Sequence, residues 1–273
     1  MVKKVAAKIY IWLVLFIMYA PILLLVIYSF QNTQYINLNH FSRLSGSLYG
    51  QLFANDEIMT ALWNTILIAV SSAIVSTILG TLGAIGIFYS RKKIKKTLSA
   101  VNQIPILNAE IVTALSLTIL FTALKNLIGL EFGFFTLLVG HVVLTVPFVV
   151  LSVIPKLQQM DSNIYEAALD LGATPNYALW KVVLPEIIPG IVSGFLLSIT
   201  LSLDDYIITA FTKSDSFTTL STYVYGVTAK GPLPAELRAL TTLIFVVILI
   251  GLLIYNFVMS KRMNAKAKRR VRI

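Results

Sequence analysis

Cysteine is absent from this chain, which excludes a disulfide framework and any thiolate nucleophile or metal ligand. Histidine is nearly so: His40 and His141 stand far apart, leaving no His-rich metal cluster. No glycine is followed directly by lysine, so the P-loop that surrounds phosphates with backbone amides and a lysine is missing. Gly-x-Ser-x-Gly and His-Glu-x-x-His signatures are missing too, which weakens an enzymatic reading. There is neither a solenoid-type repeat nor a low-complexity linker. Charge is scarce as well. Only 12% of residues are charged against 57% hydrophobic, and the mean hydropathy of +0.83 is that of a membrane protein.

Six apolar runs are long enough to cross a hydrocarbon core of about 30 Å. They are Ile9 to Phe30, Ala61 to Ser90, Ile104 to Leu124, Phe134 to Ile154, Ile187 to Phe211, and Leu240 to Met259. Lys3, Lys4 and Lys8 precede the first, as in a signal peptide, but the run is too long and no small-residue cleavage site follows. It reads as a retained helix kinked at Pro21. Residues Gln31 to Thr60, with Arg43, Asp56 and Glu57, read as an exposed loop.

Sorting Lys and Arg by alternate sides puts seventeen on one and five on the other. The richer side holds both termini, the basic loop Arg91 to Lys96, and the segment Lys156 to Pro185, so these face the cytoplasm. The net charge of +10 is then a topology signal and an affinity for anionic lipid headgroups, not a sign of nucleic-acid binding.

Small residues recur every fourth position in two runs. Ser72, Ser76, Gly80 and Ala84 form one seam, and Gly190, Gly194, Ser198 and Ser202 the other. Such seams let helices approach closely. Asp205 continues the second, facing helix neighbours or a pathway, and Asp204 points about a quarter-turn away. A carboxylate at the bilayer centre costs on the order of 2.5 to 3.5 kcal/mol, so Glu110, Asp204 and Asp205 are candidate pathway residues. The alternatives are structural: the aspartates capping a helix break or pairing with Lys213, and Glu110 meeting Lys95 or Lys96. His141 reads as an interhelical hydrogen-bonded residue. Tyr206, Tyr223 and Tyr225 read as interfacial anchors or as π faces for a cation.

The longest polar interruption of the second half is DSNIYEAALDLGATPNYALWKVVLP, Asp161 to Pro185. Asp161 or Ser162 caps a first short helix, Ile164, Ala168 and Leu171 share a face, and Gly172 sits where a left-handed residue ends it. Thr174 caps a second with Pro175 at its first position, and Pro185 closes it. The pair forms a knob between membrane spans.

Glu166, Ala167, Ala168 and Gly172, followed by Leu184 and Pro185, resemble the EAA loop of permease subunits of binding-protein-dependent ABC importers. The stretch Ser202 to Tyr206 with Ile208 and Thr209, then Thr219, Leu220, Tyr223, Tyr225, Gly231, Pro234, Glu236, Ala239 and Leu240, is similar to the polyamine (spermidine/putrescine) subgroup. So is the opening Ala20, Pro21, Ile22, Ser29 and Phe30, while Ala109 stands where the family usually has proline before the acid at Glu110. The resemblance implies an all-α integral membrane protein of six transmembrane helices with the type I ABC importer (MetI-like) permease fold. Residues 1–60 would be an N-terminal helix and extracytoplasmic loop, 61–259 a five-helix core with coupling loop 156–185, and 260–273 a basic tail.

It further implies ATPase coupling by Glu166, Ala167, Ala168 and Gly172, and a substrate pathway or gate at Asp204, Asp205 and Glu110. The implied partners are a PotB-like sister permease, a pair of PotA-like ATPase subunits, a PotD-like extracytoplasmic binding protein, and membrane lipids. ATP and Mg2+ would be used by the partner ATPase, with no cofactor bound by this chain. Other readings are the same machine carrying ferric ion, an aminophosphonate or thiosulfate, a non-transporting scaffold, or an intramembrane aspartyl enzyme. The last is disfavoured because acids on adjacent helical residues diverge and cannot share a proton.

Overall fold

A computed structural model describes residues 2–33 and 44–270; His40 and Arg43 lie outside them. The described chain is helical, with a single isolated bridge between Gln31 and Leu44 as its extended pairing. In order the helices are α1 (Val2–Tyr28), α2 (Ser47–Ala54), α3 (Asp56–Tyr89), α4 (Lys92–Leu107), α5 (Glu110–Ile128) and α6 (Phe134–Gln159). Then come α7 (Ser162–Asp170), α8 (Pro175–Ala178), a π-helical turn (Leu179–Val183), α9 (Leu184–Asp204), α10 (Ile207–Thr212), α11 (Leu220–Thr228) and α12 (Glu236–Arg270). Five described segments are long and apolar enough to cross a membrane: Ala7–Tyr28, Asp56–Tyr89, Glu110–Ile128, Phe134–Gln159 and Pro175–Asp204. The sixth apolar run, Leu240 to Met259, lies within α12. The chain is a multi-pass membrane protein.

Contacts divide it into two units, one made of residues up to Met59 with those from Val227 on, the other of Thr60–Gly226. In the first, α12 packs on α1 and α2. The Arg238 guanidinium there donates to the carbonyls of Thr33 and Ala235.

The second unit is built around α6. Gly80 of α3 lies so close to α6 that a Cβ added to it would fall 2.6 Å from Val149 Cβ. On α9, a Cβ at Gly194 would meet Val149 at 3.1 Å, and one at Gly190 would meet Lys156 Cγ at 2.8 Å. Both small-residue seams therefore seat their helices on α6, where dispersion between closely spaced backbones replaces the hydrophobic drive that lipid does not supply. The core they enclose is Ala84 and Ile87 from α3, Val149, Val150, Val153 and Leu157 from α6, and Val183 and Ile187 at the root of α9.

Four boundaries differ from the sequence reading. The loop expected over Gln31 to Thr60 contains α2, and α3 starts at Asp56 after Asn55 Oδ1 accepts from Ile58 N at 3.2 Å. The basic cluster is not a loop: Lys92 to Lys96 open α4. Its amphipathic helix runs to Leu107, absorbing the first residues of the expected third span, and the turn at Asn108 and Ala109 starts α5 at Glu110. Pro185 does not stop the second helix of the knob, because the π-turn before it carries the chain into α9, with Leu184 N bonding back to Leu179 O. That widened turn accommodates a residue without an N–H and with a ring that crowds the preceding carbonyls. Finally, the expected fifth span breaks at Asp205 and Tyr206 and resumes as the short α10.

Candidate functional site

A helix broken at membrane depth exposes backbone groups that hydrocarbon cannot satisfy, so the break needs side-chain partners. Asp205 supplies them at the N-terminus of α10. Its Oδ1 accepts from Ile208 N at 3.2 Å, and its Oδ2 accepts from Thr209 N at 2.8 Å and Thr209 Oγ1 at 2.7 Å. At the other end, Thr118 of α5 donates to Phe211 O at 3.0 Å, and Thr136 of α6 donates to Thr212 O at 2.8 Å. Gly140 of α6 makes room for α10, since an added Cβ would sit 2.7 Å from Ile208 Cγ2.

The elbow between α9 and α10 is tied to three further helices. His141 of α6 is buried and bonds through Nδ1 to Ser202 Oγ at 2.6 Å and through Nε2 to Thr209 Oγ1 at 2.9 Å. Its Nε2 stands 3.6 Å from Asp205 Oδ2. Ser72 of α3 donates to Ser202 at 3.1 Å, and Ser221 of α11 donates to Asp205 O at 2.8 Å. The expected interhelical role of His141 is what the structure has. Its junction with Ser72, Ser202 and Thr209 escaped sequence reading, although two of those serines already marked the small-residue seams.

The three acids separate. Asp205 is buried and satisfied within the chain, while its neighbour Asp204, the last residue of α9, is exposed. Neither pairs with Lys213, whose Nζ donates to Ser214 O at 3.3 Å. Glu110 is exposed on the first turn of α5, and the contacts suggested with Lys95 or Lys96 are not formed among the described residues; Lys95 instead lies over the Phe88 ring at 4.7 Å. Tyr206 and Tyr225 pair with ring centroids 4.3 Å apart.

The knob is a separate site. Asp161 caps α7 by accepting from Asn163 N at 3.0 Å, and Thr174 caps α8 by accepting from Tyr177 N at 3.4 Å. Between them Gly172 adopts φ +85°, the left-handed conformation expected of it. Glu166 and Ala167 are exposed on α7, with Ala168 half-buried beside them. The apolar face of α7 does not close on this chain: Leu171 is 90% exposed, and on the following turns Tyr177 is 58% and Trp180 67% exposed. Ala168, Leu171, Gly172, Ala173, Thr174 and Tyr177 line an open hollow of about 530 Å³ there.

Comparison with known proteins places this architecture. The chain is 36% identical over 230 residues to the putrescine transport system permease protein PotI of Escherichia coli, covering 83% of this chain and 81% of that one. It is 34% identical to the spermidine/putrescine transport system permease protein PotC of Haemophilus influenzae, over 90% and 93% of the two chains. It shares its fold, with a TM-score of 0.70 at 16% identity and coverage of 95% and 96%, with a chain of a bacterial ABC transporter involved in alginate import. The sequence model described as binding-protein-dependent transport system inner membrane component matches residues 76–265, and the chain belongs to that family.

Proposed function

We propose that the chain is a permease subunit of an ATP-driven importer for polyamines, forming half of a translocation pathway with a sister permease. The observation that carries this is its identity with PotI and PotC over most of their lengths. Two features of the geometry support it. Asp204 presents an exposed carboxylate beside the Tyr206–Tyr225 pair in sequence, and Glu110 presents another, suited to compensate a multivalent organic cation for shed water. The knob carries an apolar surface that this chain leaves open, the kind of surface that a protein partner covers.

In this reading the motor is a partner ATPase that consumes ATP with Mg2+, gripping the knob around Glu166, Ala167, Ala168 and Gly172. An extracytoplasmic binding protein delivers the polyamine, and selectivity lies mostly in it. The charge distribution supports a position in the cell membrane with the knob and both termini cytoplasmic. ATP closes the ATPase pair, the knob transmits that motion through the continuous α8, π-turn and α9, and the elbow at Asp204 and Asp205 opens outward. Uptake of radiolabelled spermidine and putrescine, dependent on the co-purifying ATPase, tests the reading. Competition by unlabelled polyamine supports it; uptake indifferent to polyamine but blocked by ferric ion, an aminophosphonate or thiosulfate refutes the substrate assignment.

A further inference from the structure

We infer that His141 is a positioning residue for transport: it holds the α9–α10 elbow in place through Ser202 and Thr209, and so sets how often the buried face of α10 opens to water. This rests on the elbow belonging to the pathway. The hydrogen bonds around His141 run in one direction. Thr209 gives its hydroxyl proton to Asp205 Oδ2 at 2.7 Å, so its oxygen receives from His141 Nε2–H at 2.9 Å. In a neutral imidazole Nδ1 is then an acceptor, and Ser202 Oγ–H donates to it at 2.6 Å. Ser202 in turn accepts from Ser72 at 3.1 Å, a proton that Ser72 shares with Ala69 O at 3.1 Å. The relay therefore passes from α9 through α6 to α10 and ends on a carboxylate.

The chain of contacts has a mechanical consequence. Asp205, Ser202 and Thr209 lie on the two sides of the break, and among the described residues His141 is the side chain that joins Ser202 on α9 to Thr209 on α10. Asp204 and Tyr206 form the intervening turn with Asp205. A rotation of α10 relative to α9 stretches the imidazole bridge before it disturbs the caps that Asp205 makes within α10. The bridge is thus a latch, and the elbow moves when one of its two bonds opens.

The absence of cysteine makes the latch directly measurable. In the assembled complex in membranes, without polyamine or nucleotide, Ile208→Cys, at a position buried while both His141 bonds are formed, is labelled with a membrane-impermeant maleimide and read on this chain's gel band. His141→Leu, which removes both bonds, raises the labelling rate about fivefold, the order of one net hydrogen bond. His141→Gln, whose amide reaches the Nε2 position, restores a rate near the parent's, whereas His141→Asn, which reaches only the Ser202 side, does not. Thr209→Val raises labelling as His141→Leu does, and guards against a His141 variant that fails to insert. Equal rates in all variants, or Gln no better than Asn, overturn the inference. Absent polyamine uptake by the complex that keeps Asp204, Ile208 and His141, with this labelling order intact, refutes the substrate reading alone.

Discussion

Asp205 and Thr209 are joined twice across one turn, by the Thr209 backbone N–H and by its hydroxyl, both on Oδ2 of the carboxylate. This makes Asp205 the cap of a half-helix rather than an open ligand of the pathway. Asp205→Asn replaces one accepting oxygen with an amide donor facing a donor, a loss of about 1 to 3 kcal/mol at a buried site. Uptake falls and the variant still co-purifies with the ATPase; an unchanged uptake rate contradicts the role of the elbow.

Asp204 differs: it is exposed, and no hydrogen bond or ion pair to its carboxylate is formed among the described residues. Asp204→Asn leaves expression, thermal stability and ATPase association unchanged, while the apparent KM for polyamine rises several-fold. Uptake measured over a concentration series in the Asn variant checks this, and a fall in assembly with unaltered KM rejects it.

Gly80 against Val149 is a close approach between α3 and α6. A leucine at position 80 drives a branched side chain into Val149 and the Val146 carbonyl, an overpacking cost of about 1 to 3 kcal/mol or more. Gly80→Leu lowers the yield of folded protein in detergent and its melting temperature. Gly86→Leu, with open space around its Cβ position, leaves both near the parent values.

Gly172 is constrained by its backbone and not by its surroundings, since no atom lies within 4 Å of an added Cβ. A branched residue at φ +85° is strained by roughly 1 to 2 kcal/mol, which reshapes the link between α7 and α8. Gly172→Val inserts normally but separates ATP hydrolysis from uptake, or loses the ATPase on purification. Coupled transport at the parent rate removes Gly172 from the coupling assignment.

Much of this was legible in the residues. The caps at Asp161 and Thr174, the left-handed Gly172 and both small-residue seams are local or periodic signals, and each occurs in the structure as read. The break after Asp204 was legible only as the structural alternative for the aspartates, a capped helix break, because Ile207 to Phe211 continue the apolar run and, besides Asp205, the partners that make the interruption tolerable, Thr118, Thr136 and His141, are distant in sequence. Pro185 misled for the opposite reason. Its usual effect on a helix is cancelled by a π-turn that propensity does not encode. The amphipathic α4 hid behind its lysines, which read as a loop although they open a helix laid along α6, where Asn102 Nδ2 reaches Pro147 O at 3.3 Å.

In the proposed function this chain is driven from outside itself, through the knob. The most direct measurement is polyamine uptake into proteoliposomes holding the permease pair and its ATPase, comparing the parent with Leu171→Glu, which puts a charge on the most exposed apolar side chain of the knob. The account predicts that parent uptake requires ATP on the side bearing the knob, and that Leu171→Glu abolishes both ATPase retention and uptake while the chain remains inserted. Uptake that persists without ATP, or a Leu171→Glu complex that transports at the parent rate, contradicts it.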